Sequence, residues 1–295
     1  MSRTDDPLIR PVVPDRLYYA TGMLLDAEDF QDEQTYHRSR LARLAASLHG
    51  SGTVAGLEVQ WVPARQARVA PPEGEHPEQL VVTPGLALDR LGRFIEVRRP
   101  LCLRLGLWFD QQAADAVGRD KLSNAYHEGT EDFPAGVWAD VFIAAVCCLH
   151  GTRPAFATGD LDQLDGVAPS RIRDGTRLSL VLREEADPAV PQRPFPSLDA
   201  IPDPAERRQR IVDYKLREAW TEATLWDNGG SRLRRLPEHT PDQDGTELFL
   251  ARVVIPAHPG PPVVRDTSRD VEVFNDLRLF SFSTAELVWL TGSMR

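Results

Sequence analysis

Proline and glycine interrupt this chain often enough to favour many short elements over a bundle of long helices. There are 24 prolines and 20 glycines in 295 residues, and they leave three uninterrupted stretches of more than twenty residues, 23–49, 205–228 and 263–291. Proline lacks the amide that a helix interior needs, and glycine loses the most backbone entropy on ordering. Many short elements joined by turns follow, with room for only a few longer helices.

The first stretch carries a full set of helix signals. Residues 1–22 read as an extended arm, because Pro7, Pro11 and Pro14 deny it a helix. Asp26 is a natural N-cap, Glu28 and Asp29 suit the positive end of the helix dipole, and Gly50 and Gly52 stop the run. A helix over 27–48 is predicted. Along it Phe30, Gln34, His37, Leu41, Leu44 and Leu48 follow alternating steps of four and three, the spacing of a heptad seam. The seam is apolar at both ends and polar in the middle. It has two readings. In a monomer this face packs on the neighbouring sheet; in a symmetric helix contact, Gln34 and His37 become buried polar layers that set register and strand number.

Beyond the helix the pattern turns to strands. Residues 54–62 alternate as one strand, 63–77 form a proline-rich loop, and strands at 79–83, 86–88, 93–97 and 100–107 complete a small antiparallel unit. Residues 108–135 are poorly patterned, a linker or peripheral helix. Residues 137–149 are apolar almost throughout and read as the most buried strand. A long acidic loop over 151–170 is closed by Arg171-Ile172-Arg173-Asp174-Gly175, before a strand over 176–183. Five prolines between 184 and 203 mark an exposed crossing.

A second helix is predicted over 204–226, with Asp203 as cap and Pro204 as its first residue. Ile211, Val212, Leu216, Ala219, Trp220 and Ala223 form one wide face, and Asn228-Gly229-Gly230 ends it. Strands at 248–255, 271–274 and 277–282 follow, then a short helical or extended piece over 284–290. The expected fold class is α+β, mainly β, with an amino-terminal helix, antiparallel β-structure and a second helix inserted near 204–226. The expected divisions are 1–110 for the arm, helix and small β unit, 111–135 for the linker or peripheral segment, and 136–295 for a β-rich domain with the helical insertion at about 200–230.

Charge and cysteine content exclude some functions. Lys and Arg total 34 against 44 Asp and Glu, a formal charge of −10. Duplex binding needs clustered cations, and the basic stretches at Arg207-Arg208 and at 232–235 are flanked by acids, so nucleic acid is not an expected partner. Residues 1–6 are polar and acidic, without the basic-then-apolar layout of a signal peptide. The longest apolar run, 137–149, contains Asp140 and is too short for a bilayer, so membrane insertion is not expected. Cys102, Cys147 and Cys148, an odd count with an adjacent pair, supply no disulfide framework and fit a reducing cytoplasm.

Each constellation that invites a chemical reading has a plainer one. Gly50-Ser51-Gly52-Thr53-Val54-Ala55-Gly56 is glycine-rich, but it closes a helix and opens a strand, the reverse of a phosphate-cradling loop. Cys147 and Cys148 point to opposite faces of a strand, so with His150 and the distant Cys102 they read as buried thiols rather than a zinc site. The acidic runs 159–166 and Asp242, Asp244 and Glu247 approach calcium-loop spacing, yet in the first Arg171 falls where a bidentate Glu belongs. His37 and His49 have no serine or cysteine nucleophile in a recognisable elbow. No catalytic, cofactor-binding or metal-ligating residue is expected, and no cofactor.

Three segments carry a resemblance. The first is Tyr18-Tyr19-Ala20-Thr21-Gly22-Met23-Leu24-Leu25-Asp26-Ala27-Glu28-Asp29-Phe30, continued by Glu33-Gln34-Thr35-Tyr36-His37, by Leu48-His49-Gly50-Ser51-Gly52 and by Gly56-Leu57-Glu58-Val59. The second is Val82-Thr83-Pro84-Gly85-Leu86-Ala87-Leu88-Asp89 with Gly92, Arg93 and Ile95, and the third is Pro169-Ser170-Arg171-Ile172-Arg173-Asp174-Gly175. Together they resemble a family encoded beside phage tail-like contractile injection systems in bacteria. The resemblance spans 18–183, and 250–255 more faintly; 184–249 lie outside it.

What it implies is a structural component of the baseplate or its periphery, with no catalytic residues to carry over. The expected role is therefore a non-enzymatic assembly protein, cytoplasmic and built into a particle. Its expected partners are copies of itself, first as a trimer, and other baseplate or tail proteins. The expected contacts are Phe30, Gln34, His37, Leu41, Leu44 and Leu48 on the seam, with Tyr18 and Tyr19 on the arm. Trp61 and Trp108 suit an interface or the core equally. The rival role is a carbohydrate- or surface-binding module of a tail appendage, which calls for a concave aromatic site. A hydrolase with a dispersed active site would call for paired carboxylates in a cleft.

Overall fold

The computed structural model describes residues 3–4, 8, 14–65, 76–154, 167–193, 195–219 and 233–292. After a two-residue strand β1 (Arg3–Thr4), helix α1 (Ala27–His49) leads into two small antiparallel sheets. Strands β2 (Gly52–Gly56), β3 (Val59–Val62), β4 (Gln79–Val82), β5 (Gly85–Leu88), β6 (Phe94–Val97) and β7 (Leu101–Arg104) follow in sequence. They sort into the orders β2-β5-β6 and β3-β4-β7. The expected single strand over 54–62 is thus two strands in different sheets. The break is at Leu57, a fully buried residue in the left-handed region at φ 57. Distant residues hold it there: Arg278 Nη1 donates to the Leu57 carbonyl at 2.6 Å, and the Asn275 amide exchanges two 2.9 Å bonds with the Val59 backbone.

The strand expected over 100–107 ends early. Residues 105–127 form α2 (Leu105–Ala113), α3 (Ala116–Asn124) and β8 (Tyr126–His127). Asp115 caps α3, accepting from the Gly118 amide at 2.7 Å. Leu105, Phe109, Leu122 and Ala125 are all buried, which ties this poorly patterned stretch to the core.

The largest sheet is built on a hairpin of β9 (Gly136–Pro154) and β10 (Val167–Leu182). The loop expected over 151–170 is strand at both ends, 151–154 and 167–170; its middle, with the acidic run 159–166, lies outside the described residues. The chain continues through α4 (Pro204–Asp213), capped by Asp203 and carried on by a π-helical turn (Tyr214–Glu218). Trp220, Ala223 and Asn228-Gly229-Gly230 lie outside the described residues. Strand β11 (Leu248–Ile255) pairs with the other edge of β9, β12 (Ala257–His258) pairs with β13 (Val264–Arg265), and β14 (Glu272–Phe274) pairs with β11. No strand spans 277–282; a single bridge joins Phe280 to Thr53. Helix α5 (Thr284–Gly292) ends the described chain.

One hydrophobic cluster joins Leu57, Val82, Ile95, Phe109 and Leu122 to Val137, Val141, Leu250 and Ile255, running across the expected divisions at 110 and 135. The first half of β9, residues 136–144, and all of β11 are buried on both faces. On the second face Trp138, Asp140 and Phe142 meet Arg183, His239, Phe249 and Arg252.

Candidate assembly surface

Helix α1 is well determined at both ends. Asp26 Oδ1 accepts from the amides of Glu28 at 2.8 Å and Asp29 at 3.1 Å, and Asp29 Oδ2 accepts from the Asp26 amide at 3.0 Å. At the far end the Gly50 amide donates to the Ala46 carbonyl at 2.9 Å, and Ser281 Oγ donates to the His49 carbonyl at 3.2 Å.

The side of α1 that meets the body carries small residues. Thr35 and Ala42 are buried, Ala45 and Ala46 half-buried, and the turn between β5 and β6 presses on the helix at Ala42 and Ala46. At Gly92, where φ is 81, a Cβ would sit 1.8 Å from the Ala42 carbonyl oxygen. Only glycine allows that approach.

The seam faces away. At about 100° per residue, Phe30, Leu41 and Leu48 fall within about 20° of one another, while Ala42 and Thr35 lie roughly 120–140° round the helix from Phe30. Phe30, Leu41, Leu44 and Leu48 are 52, 63, 55 and 69% exposed, and Gln34 and His37 are exposed between them. The reading in which this stripe packs on its own sheet is therefore corrected: the sheet takes the small-residue face, because only that face can approach Gly92. Each of these large side chains would contribute about 1.5–3 kcal/mol if fully buried. Tyr18 and Tyr19, in extended chain ahead of the helix, are exposed, as are Met23 and Leu24. Trp61 and Trp108 instead pack half-buried against the core, and Trp61 Nε1 donates to Glu78 Oε1 at 2.7 Å.

The two flanks of the seam differ. On the open flank Glu33 Oε1 lies 3.6 Å from His37 Nε2, and the Arg40 guanidinium sits 5.2 Å from the Tyr36 ring centre. On the other, Arg38 lines a groove of about 170 Å³ with Leu8, Gly92 and Asp174, between α1 and the β9–β10 hairpin.

A second apolar feature escaped the sequence reading. Helix α5 starts beside the end of α1, capped by Ser283 and Glu286, and exposes Leu287, Val288 and Trp289. Those three consecutive residues point around the helix rather than along one face, a pattern that ordinarily marks a buried helix. Ile211, Val212 and Leu216, on the face predicted for the second helix, are exposed too.

Cys147 is buried and Cys148 half-buried, but Cys102 is exposed, against the expectation of a buried thiol. Among the described residues no group of three or more His, Cys, Asp or Glu is arranged to hold a metal. Asp244 Oδ1 accepts from the amide and hydroxyl of Thr246, both at 2.9 Å, and Glu247 pairs with Arg177 at 2.5 Å. Glu247 Oε2 also accepts from Gln243 Nε2 at 2.9 Å, so these acids serve a turn and the sheet.

His239, against Phe142, is nearly inaccessible, and its Nε2–H donates to the Glu247 carbonyl at 2.8 Å. Burial pushes its pKa down, with the Glu247 carbonyl opposing the shift. The unfolded chain then binds the extra proton more readily, so stability is complete above about pH 6.5 and falls below it, by up to about 1.4 kcal/mol per pH unit until the folded value is reached. Urea denaturation at pH 7.5 and 5.5 should show this loss, and His239→Gln should reduce it. An equal loss in the variant would assign it elsewhere.

No described helix is long and apolar enough to cross a membrane. No family model matches this chain, and no curated protein matches it.

Proposed function

We propose that this chain is a structural assembly protein of a phage tail-like contractile injection particle, in the baseplate or at an appendage attachment, acting through copies of itself and neighbouring tail proteins. The observation that carries the reading is the uncovered seam on α1. A helix that turns its small residues inward and Phe30, Leu41, Leu44 and Leu48 outward leaves apolar area that association can remove from water. The exposed Leu287, Val288 and Trp289 of α5, which begins beside the end of α1, support it. The kind of particle comes from the resemblance over 18–183, and assembly in the cytoplasm is part of the proposal.

Light scattering of the purified protein should give a multiple of its 32.9 kDa chain mass at micromolar concentration. A pull-down from the native host should recover tail or baseplate proteins. A single-chain mass together with a pull-down free of tail proteins would end this reading.

A further inference from the structure

We infer that the seam of α1 is covered by the α1 of a second copy, lying antiparallel to it across a twofold axis; this rests on the seam being an oligomer contact. The charges beside the seam are self-complementary in one antiparallel register. When Phe30 is set opposite Leu41 of the second copy, Gln34 falls opposite His37 and Leu44 opposite Ala27. Apolar residues meet apolar ones, and the two polar seam residues meet each other as hydrogen-bonding partners. The same register sets Glu33 opposite Arg40 of the second copy, on the flank that faces solvent. Twofold symmetry repeats every one of these pairs. The overlap runs from Ala27 to Leu44, about 27 Å of helix.

A parallel arrangement uses the side chains less well. It stacks His37 on His37 and Gln34 on Gln34, and it asks Glu33 to reach Arg38, which lines the groove on the body side of the helix. Helices that meet around a threefold axis run parallel, so the trimer expected from the heptad seam and the resemblance to tail proteins gives way to a pair. Leu48 then falls level with the exposed Met23 and Leu24 of the second copy.

Charge exchange tests the register. In analytical ultracentrifugation Glu33→Arg and Arg40→Glu should each raise the dissociation constant about tenfold, since each reverses two partly exposed pairs. The double variant E33R/R40E should return it to near the parent value. Recovery with E33R/R38E instead would mean parallel helices and overturn the inference, as would the absence of recovery in either double variant. A spin label at Ser47→Cys, in a C102S/C148S background, gives a second measurement that does not depend on the charge variants. Antiparallel helices place the two labels about 35 Å apart and parallel ones about 10 Å. A seam broken by Leu41→Asp but indifferent to these charges would sink the register and leave the assembly reading standing. A wild-type protein that is a single chain at every concentration would sink both.

Discussion

Leu41→Asp is expected to reduce the protein in solution to a single chain while leaving it folded. Leu41 is 63% exposed and lies on the outward stripe at the rim of the groove that Arg38 lines, so the substitution removes little internal packing. Its cost to the isolated helix is of the order of 0.5 kcal/mol, the difference in helix propensity. In an association through the seam, each copy would instead bring a carboxylate into a contact otherwise lined by apolar residues. Desolvating an unpaired carboxylate costs several kcal/mol, more than a seam of about three heptads with two polar layers can offset. Light scattering should therefore fall to the single-chain mass, with far-ultraviolet dichroism unchanged. A folded variant of parental mass would remove α1 from the interface.

Asp140→Ala is expected to lower the stability of the folded chain by about 3–5 kcal/mol, the usual cost of removing one partner from a buried charge cluster. Asp140 is inaccessible to solvent, and Arg252 grips it with two bonds, Nε to Oδ1 at 2.9 Å and Nη2 to Oδ2 at 3.1 Å. Arg183 approaches from β10's end, Nη1 to Oδ2 at 3.2 Å, and also donates to the Glu238 carbonyl at 2.5 Å. Burial pushes the Asp140 carboxyl up from its ordinary range, against the hydrogen bonds and charge of Arg252 and the charge of Arg183. Without it, two guanidinium groups stay buried with Glu185, half-exposed at the rim, as the nearest remaining carboxylate. The Arg252 guanidinium also lies 5.3 and 5.5 Å from the Phe133 and Trp138 rings, so its displacement would disturb packing on that face. Urea denaturation should show a lower midpoint at an unchanged slope. Glu185→Ala, a rim charge, should cost about 1 kcal/mol or less. A loss that small for Asp140→Ala would show that the cluster does not hold β9 to its neighbours.

Residues with short-range signals were legible from the sequence. The helix predicted over 27–48 is observed as Ala27–His49, because its capping acids and its closing glycine act within one turn of its ends. The start of α4 at Pro204 and the strand over 248–255 follow from equally local patterns. Elsewhere the deciding contact lies far along the chain. Leu57 looks like mid-strand until Arg278 and Asn275 arrive from more than two hundred residues away. Asp140 looks like an interruption of an apolar run until Arg183, just past the end of β10, and Arg252 of β11 pair with it.

The seam itself divides between the two levels. Its spacing and its polar middle are properties of the sequence, since 3.6 residues per turn put those six side chains on one stripe whatever surrounds them. Which way the stripe points is not, because an apolar face fits a sheet as well as it fits another helix. The tertiary structure decided it through Gly92, whose missing side chain lets the β5–β6 turn touch the Ala42 backbone and so claims the small-residue side of α1 for the body. Phe30, Leu41, Leu44 and Leu48 face outward as a consequence.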